Sequence, residues 1–336
     1  MKSYLERINP TALVFIAFML LAALIAPSFL SGYTYNVVIV ALIYAICVYG
    51  ATIVTGMGGV ISFAYITFFG FGAYWAANLT TGRWFEVTLS PFIALITAPI
   101  AVAIIGYLTG LVLFKLKGSF FVFGTIGFVN VAYVFFGNYV PIFGGASGIK
   151  HIPTLSIGSF VCDDYNKWFY VLVFIVMIAY LVVERIRRSR LGRALAAIKD
   201  NETAAMAFGI DVYKTKIYAF SIASAFCGLS GALYAMQARY ISSELFSING
   251  SYNIIIMLVL GGMNNTGGAV IGALLVRALP EIFRSLKSFL QLAYGVGIIL
   301  IVVFMPNGLA SLVDTSVTKL VRKKRKAGKL EEGVKE

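Results

Sequence analysis

Gly261-Gly262-Met263-Asn264-Asn265-Thr266-Gly267-Gly268 interrupts a long apolar tract, and whether it bends or continues a helix sets how often the chain crosses a membrane. Read through, residues 253 to 277 form one span. Four glycines and two asparagines in eight positions read instead as a turn between two short helices, near 247 to 261 and 268 to 284. Charge elsewhere in the chain decides between the two.

The 336 residues are 60% hydrophobic and 12% charged, with a mean hydropathy of +0.89. No water-soluble fold hides that much apolar surface. Crossing about 30 Å of hydrocarbon at about 1.5 Å per residue takes about 20 apolar residues. Such runs lie near 11 to 30, 35 to 55, 59 to 79, 89 to 114, 119 to 139, 168 to 184, 216 to 238 and 287 to 305. The first is long for a signal peptide and no A-x-A cleavage site follows, so it reads as a retained helix. Residues 184 to 216 carry eight Lys or Arg and the tail from 319 carries eight more, which places both in the cytoplasm. Reading 253 to 277 as one span leaves three crossings between loop and tail and would put them on opposite sides; two short helices restore the parity.

The expectation is an all-α polytopic protein of the cytoplasmic membrane with about ten transmembrane helices, some short or broken, and both termini on the cytoplasmic side. Residues 1–318 form the membrane domain, 185–215 a cytoplasmic loop and 319–336 a basic tail. On this count 20 of the 27 basic residues are cytoplasmic, while residues 141 to 167, with His151, Asp163 and Asp164, are outside. Leu309, Leu312, Val313, Leu320 and Val321 share a helical face beside the basic run from Arg322 to Lys326, the pattern of an anchor on membrane lipid.

Several chemistries are excluded. The net charge of +13 sits at the ends of apolar runs, which signals orientation and no nucleic-acid partner. Cys47, Cys162 and Cys227 lack paired spacing, and His151 is the lone histidine, so neither a disulfide framework nor a metal site is indicated. No P-loop occurs; Gly70-Phe71-Gly72 continues to Trp75 within a membrane helix, which rules out a dinucleotide turn. No nucleophile and base share one depth, so no catalytic residue is expected. Glu281, four residues after Arg277, reads as half of a local ion pair. Small residues at four-residue spacing, such as Gly106 with Gly110 and Ser224 with Gly228, read as helix-packing faces. Broken helices at Gly56-Met57-Gly58-Gly59 and at 261 to 268 must face protein or a wet cavity. A central pathway is expected there, with Gly58, Gly59, Ser62, Tyr65, Thr125, Gly262 and Asn264 as candidates.

Within the loop, residues 191 to 210 read as a helix, a turn at Asp200 or Asn201 that caps a second short helix, and a stop at Gly209. Leu191, Leu195 and Ile198 form a narrow apolar stripe, and Arg193, Lys199 and Glu202 stay polar. Such a surface element suits the groove of a soluble partner.

The chain resembles the permease family of branched-chain amino-acid ABC importers, in particular LivM-like subunits. The match is carried by Gly58-Gly59, Ser62, Phe68-Phe69-Gly70-Phe71-Gly72-Ala73-Tyr74, Phe120-Phe121, Thr125, Gly144-Gly145-Ala146-Ser147-Gly148-Ile149, Gly192-Arg193-Ala194, Ala204-Ala205, Gly209-Ile210, Gly261-Gly262, Pro280-Glu281, Tyr294-Gly295 and Pro306-Asn307-Gly308-Leu309, in order from about 35 to 310. The resemblance implies a second, LivH-like permease, an extracytoplasmic solute-binding protein and two cytoplasmic ABC ATPases. Those ATPases would dock on a coupling loop containing Gly192, Arg193, Asp200, Glu202, Ala204, Ala205 and Gly209. It implies no cofactor on this chain, with ATP and Mg²⁺ on the ATPases, and no bond chemistry of its own. Tyr65, Phe143 and Ala269 stand where the family often has His, Thr and Pro, and sister systems for urea, amides or other amino acids share the pattern. A sugar-type ABC permease and a stand-alone facilitator for a small polar solute remain alternatives.

Overall fold

Three close helix contacts organise the bundle. In the computed structural model, which describes residues 32–84, 88–158, 160–263 and 265–282 together with Met19, Gly295 and Ile299, α1 is Gly32–Ala51, prolonged by a π-turn Thr52–Met57. It is followed by α2 Tyr65–Thr81, α3 Pro91–Leu113, α4 Ser119–Asn138 and the short α5 Val140–Phe143. Then come α6 Tyr165–Arg188, α7 Arg190–Asp200, α8 Glu202–Ala207, α9 Val212–Ala238, α10 Ile248–Gly261 and α11 Gly268–Ile282. The expected spans 11 to 30 and 287 to 305, the anchor, the tail and Asn264 lie outside the described residues.

Helix α9 is the axis, packed along α3, α2 and α1. A Cβ on Gly231 would collide with the Phe69 carbonyl, one on Gly72 with Gly228, and one on Gly106 with Ser224. The small residues are therefore packing faces, and hydroxyls stitch the approach. Ser230 donates to the Ile43 carbonyl at 2.5 Å and Ser221 to that of Ala103 at 2.8 Å. Such contacts hold helices together where lipid supplies no hydrophobic drive. Around this core α3 turns a stripe outward, Ile96, Ile100, Ile104, Leu108 and Val112, all exposed. Their four-residue spacing marks one helical face.

Among the described residues five helices are long and apolar enough to cross a membrane: Gly32–Met57, Pro91–Leu113, Ser119–Asn138, Tyr165–Arg188 and Val212–Ala238. Ile248–Gly261 is shorter. The glycine-rich turn at 261 to 268 does separate two short helices, α10 and α11, which pack on each other. One expectation shifts. The helix expected from 59 starts at Tyr65, because residues 58 to 64 are not helical.

The two ends of the bundle differ. One gathers the π-turn, α7, α8 and the 261 to 268 turn, with Lys199 Nζ of α7 on the Gly56 carbonyl of the π-turn (2.7 Å), and there α9 is tied to α3 by Tyr213 OH on the Leu111 carbonyl (2.6 Å). The other carries two small antiparallel ribbons. β1 Ile149–Lys150 pairs with β4 Tyr240–Ile241, and β2 Ser156–Ile157 with β3 Phe160–Val161. An Arg239–Asp163 ion pair at 3.0 Å closes this end.

Gly231→Val should fail to yield monodisperse detergent-purified protein or should lower its Tm, since overpacking is unfavourable by about 1–3 kcal/mol. Gly127→Ala, whose Cβ would meet nothing within 4 Å, should leave Tm unchanged or raise it, by up to about 1 kcal/mol of helix propensity. A wild-type melting curve for Gly231→Val would contradict the close approach.

Candidate functional site

The loop end is built by caps. Ser189 closes α6, donating to the Ile186 carbonyl (2.7 Å), and opens α7 by accepting from Gly192 N (3.3 Å). Only glycine fits at 192, where a Cβ would strike the carbonyls of Ile186 and Arg187. Asn201, rather than Asp200, caps α8 by accepting from Ala204 N at 3.0 Å. Gly209 leaves α8 at φ +81, a conformation residues with a Cβ adopt reluctantly. Asp211 caps α9. The backbone N–H of Lys214, then its ammonium, hold the Asp211 carboxyl below its ordinary range. A lowered pKa means that this cap persists at neutral pH and is lost only as pH falls through the lowered value.

Residue by residue, the loop departs from its sequence reading at Ala205. Its side chain, 2% exposed, packs against Ile198 and Val212 of the same chain. The helical turn that hides Ala205 turns out Ala204, Met206 and Phe208, the last two 53% and 87% exposed. Sequence reasoning passed over Phe208. Its only signal is a bulky aromatic immediately before the stopping glycine in a polar loop. Arg193, Asp200 and Glu202 are also exposed; Arg193 donates to the Arg188 carbonyl (2.8 Å) and Glu202 pairs with Lys216 (2.8 Å).

Gly58 and Gly59, two of the pathway candidates, lie under this loop. A Cβ on Gly58 would come within 3.3 Å of Leu195 Cδ2, and one on Gly59 (φ +69) within 2.9 Å of Lys199 Cγ. The Lys199 ammonium sits on the Gly56 carbonyl at the end of the π-turn, where helix carbonyls lack internal partners and the dipole is negative. Loop and π-turn thus share a cleft of about 440 Å³ that Arg187, Arg193, Lys199, Asp200 and Thr266 help to line. Glu184 joins it to the glycine-rich turn. Its carboxylate pairs with Arg187 (2.9 Å) and Arg188 (3.0 Å) and accepts from Thr266 Oγ1 (3.4 Å). Glu184 was missed because it stands at the edge of a span among arginines, where it reads as surface charge.

Ser62, Tyr65 and Thr125 are brought together around the irregular backbone of residues 60 to 64. Thr55 donates to the Val60 carbonyl (2.9 Å), and Ser251 to that of Phe63 (2.6 Å). Thr125 Oγ1 accepts from Phe63 N (3.2 Å), and Ser62 Oγ from Ala64 N (3.2 Å). The Tyr65 and Thr55 hydroxyls share a hydrogen bond at 2.8 Å. Irregular backbone within a membrane domain needs such partners, and these hydroxyls supply them to residues 60 to 64. Gly262 ends α10, its N–H donating to the Leu258 carbonyl at 3.0 Å. Tyr65, Phe143 and Ala269, the departures from the family pattern, are all buried, and none is among the residues lining the two clefts described here.

At the opposite end a cleft of about 460 Å³ opens between α1, α9, α10 and α11, lined in part by Tyr33, Asn36, Tyr44, Asn253, Arg277 and Glu281. Among the described residues no ion pair joins Arg277 to Glu281. The guanidinium instead lies 4.4 Å from the Tyr44 ring centroid, while Glu281 accepts from Tyr33 OH at 2.9 Å. Neighbouring α1 offers each a partner off the helix they share, an aromatic face for the cation and a hydroxyl for the carboxylate.

The family described as the permease component of branched-chain amino acid transport systems matches residues 33–305. The chain belongs to that family. It is 27% identical over 325 residues to the high-affinity branched-chain amino acid transport permease LivM of Escherichia coli (strain K12), covering 88% of this chain and 74% of that protein. The probable LivM of Methanocaldococcus jannaschii is 26% identical, with coverage of 75% and 80%. Escherichia coli (strain K12) LivH is 24% identical, with coverage of 82% and 93%. No solved structure matches the chain. The permease is accordingly an all-α, multi-pass membrane protein of this family.

Ala205→Glu should strand a charge between Ile198 and Val212, unfavourable by about 1–3 kcal/mol. Hydrogen exchange over residues 201 to 210 should accelerate in the isolated permease, while Ala204→Glu, on the exposed face, should exchange as wild type. Equal protection in both variants would show that α8 does not pack through Ala205.

Proposed function

We propose that the chain is the LivM-like permease subunit of an ABC importer for branched-chain or related amino acids. In this reading it pairs with a LivH-like permease, receives substrate from an extracytoplasmic binding protein and is driven by two cytoplasmic ATPases that hold ATP and Mg²⁺. It contributes no bond chemistry. Family membership supports the transport role, and the similarity to both LivM and LivH relatives supports a two-permease system. Basic residues at the α7–α8 end support a cytoplasmic loop with both termini inside and ten crossings.

The observation that carries the mechanism is the exposed tip of α8 above an α7 clamped to the π-turn. Met206 and Phe208 offer an aromatic and a pliant anchor of the kind that fills partner pockets, and small Ala204 lets a partner approach. Closure of the ATPases would displace α7 and α8 as a unit, because Leu195, Ile198 and Ala205 are buried in their own chain. Lys199 would carry that displacement to the Gly56 carbonyl, and Glu184 to Thr266. A π-turn holds a wider, less regular ring of hydrogen bonds and serves as a hinge. The α1 helix above it and the α10–α11 turn would then move together between outward and inward openings.

Two measurements test this. Asn201→Cys and Asn166→Cys, at exposed positions, should react with an impermeant thiol reagent from opposite sides of the membrane. Labelling of both from outside would refute the orientation. Phe208→Ala should lower co-purification of the ATPases and ATP-dependent uptake by roughly tenfold or more, as removal of a buried aromatic anchor does. Full ATPase retention and wild-type uptake would remove the tip from the contact and favour a stand-alone facilitator.

A further inference from the structure

Arg277 is anomalous for a membrane helix. Tyr44, on which its guanidinium rests at 4.4 Å, stands midway along the 26-residue segment Gly32–Met57, so the charge lies near mid-depth. A cation there is tolerated when it faces water or protein rather than acyl chains. Guanidinium carries five N–H donors, and among the described residues none of them makes a hydrogen bond or ion pair. Nε is buried and unpaired, and the ring covers a face of the group without using its donors. The cleft in front of it, about 460 Å³, falls within the range of small-molecule sites.

The rest of the lining has a definite chemistry. Glu281, one turn further out on α11, adds a carboxylate, and Asn36 and Asn253 add amides. Val40 and Met257 supply an apolar wall. The amide of Asn36 is fixed by accepting from Gln237 Nε2 at 2.9 Å, and Glu281 by accepting from Tyr33 at 2.9 Å. A site with a cation, an anion and an aliphatic wall complements a zwitterion with an aliphatic side chain.

We infer that this cleft is a substrate station on the translocation path. Arg277 takes the α-carboxylate, Glu281 the α-ammonium, and Val40 with Met257 the side chain. The inference rests on the importer reading above and narrows it, because urea, amides and sugars carry no carboxylate and would leave Arg277 unpaired. Guanidinium geometry favours a bidentate carboxylate, which lysine reproduces only as a point charge. A lipid phosphate belongs at the interface, not at the depth of Tyr44.

The test uses the complete transporter in proteoliposomes with L-leucine. Arg277→Ala should lose roughly ten- to a hundred-fold in uptake while still co-purifying with all partner subunits, and Arg277→Lys should recover part of the loss. Because Cys47, Cys162 and Cys227 are buried, Val40→Cys can be labelled in the native background. Without the binding protein, L-leucine should slow its reaction with an impermeant thiol reagent, leucinamide should not, and Arg277→Ala should abolish the protection. Unchanged uptake in Arg277→Ala, or Val40→Cys labelling indifferent to leucine, would overturn the assignment and leave the importer reading standing. Loss of a subunit from Arg277→Ala would make Arg277 an assembly contact and overturn it too. Absence of ATP-dependent leucine uptake by the wild-type complex would defeat the importer reading itself, and the station with it.

Discussion

Acyl chains solvate an apolar helix as well as another apolar helix does, so association within the bilayer must come from fit and from hydrogen bonds. In this permease the fit is concentrated on α9. Gly228 and Gly231 let α2 approach until backbone meets backbone, and Ser221 and Ser230 donate to carbonyls of α3 and α1. Everything that moves in the proposed cycle is hung on that axis. Helix α2, pressed against it backbone to backbone, belongs to the fixed body, and the far faces of α3 and α4 present bulky aliphatic and aromatic side chains outward.

Irregular backbone is placed where the fixed body can satisfy it. Residues 58 to 64 would be intolerable facing lipid, yet Thr55, Ser62, Thr125 and Ser251 answer their polar groups from three directions. The same break lets the π-turn end on a free carbonyl, which Lys199 of α7 occupies. A charged contact therefore joins the loop to the π-turn that prolongs α1. A second, through Glu184, joins it to the turn between α10 and α11. A loop clamped at two points to separate helices is mechanically suited to transmit a push, whereas a solvated linker would absorb it.

The two clefts divide the charge. At the loop end, Arg187, Arg193 and Lys199 gather around helix carbonyls. In the other cleft, Arg277 and Glu281 stand one helical turn apart, each held by a residue of α1. Because α1 carries both the Tyr44 face and the Gly56 carbonyl, a rotation or bend of that helix alters the two clefts together. Coupling of this kind needs two arrangements of one element and a bias at each end, and α1 is the element that reaches both.

The sequence by itself determined the helical class, the approximate spans among the described residues and the break at 261 to 268, because hydropathy, helix length and glycine content act locally and need no partner. It also placed the stop at Gly209 and narrowed the cap of α8 to Asp200 or Asn201, since both depend on residues within one turn. Only the tertiary structure decided which side of α8 is covered, and so exchanged Ala205 for Phe208 as the exposed feature. It placed the pathway candidates Gly58 and Gly59 under the loop, and gave Ser62, Tyr65 and Thr125 their hydrogen-bond partners. It also separated Arg277 from Glu281 by giving each a partner on α1. Each of these depends on contacts between residues far apart in the chain, and no local pattern of polarity reveals which of several equally apolar helices will stand opposite.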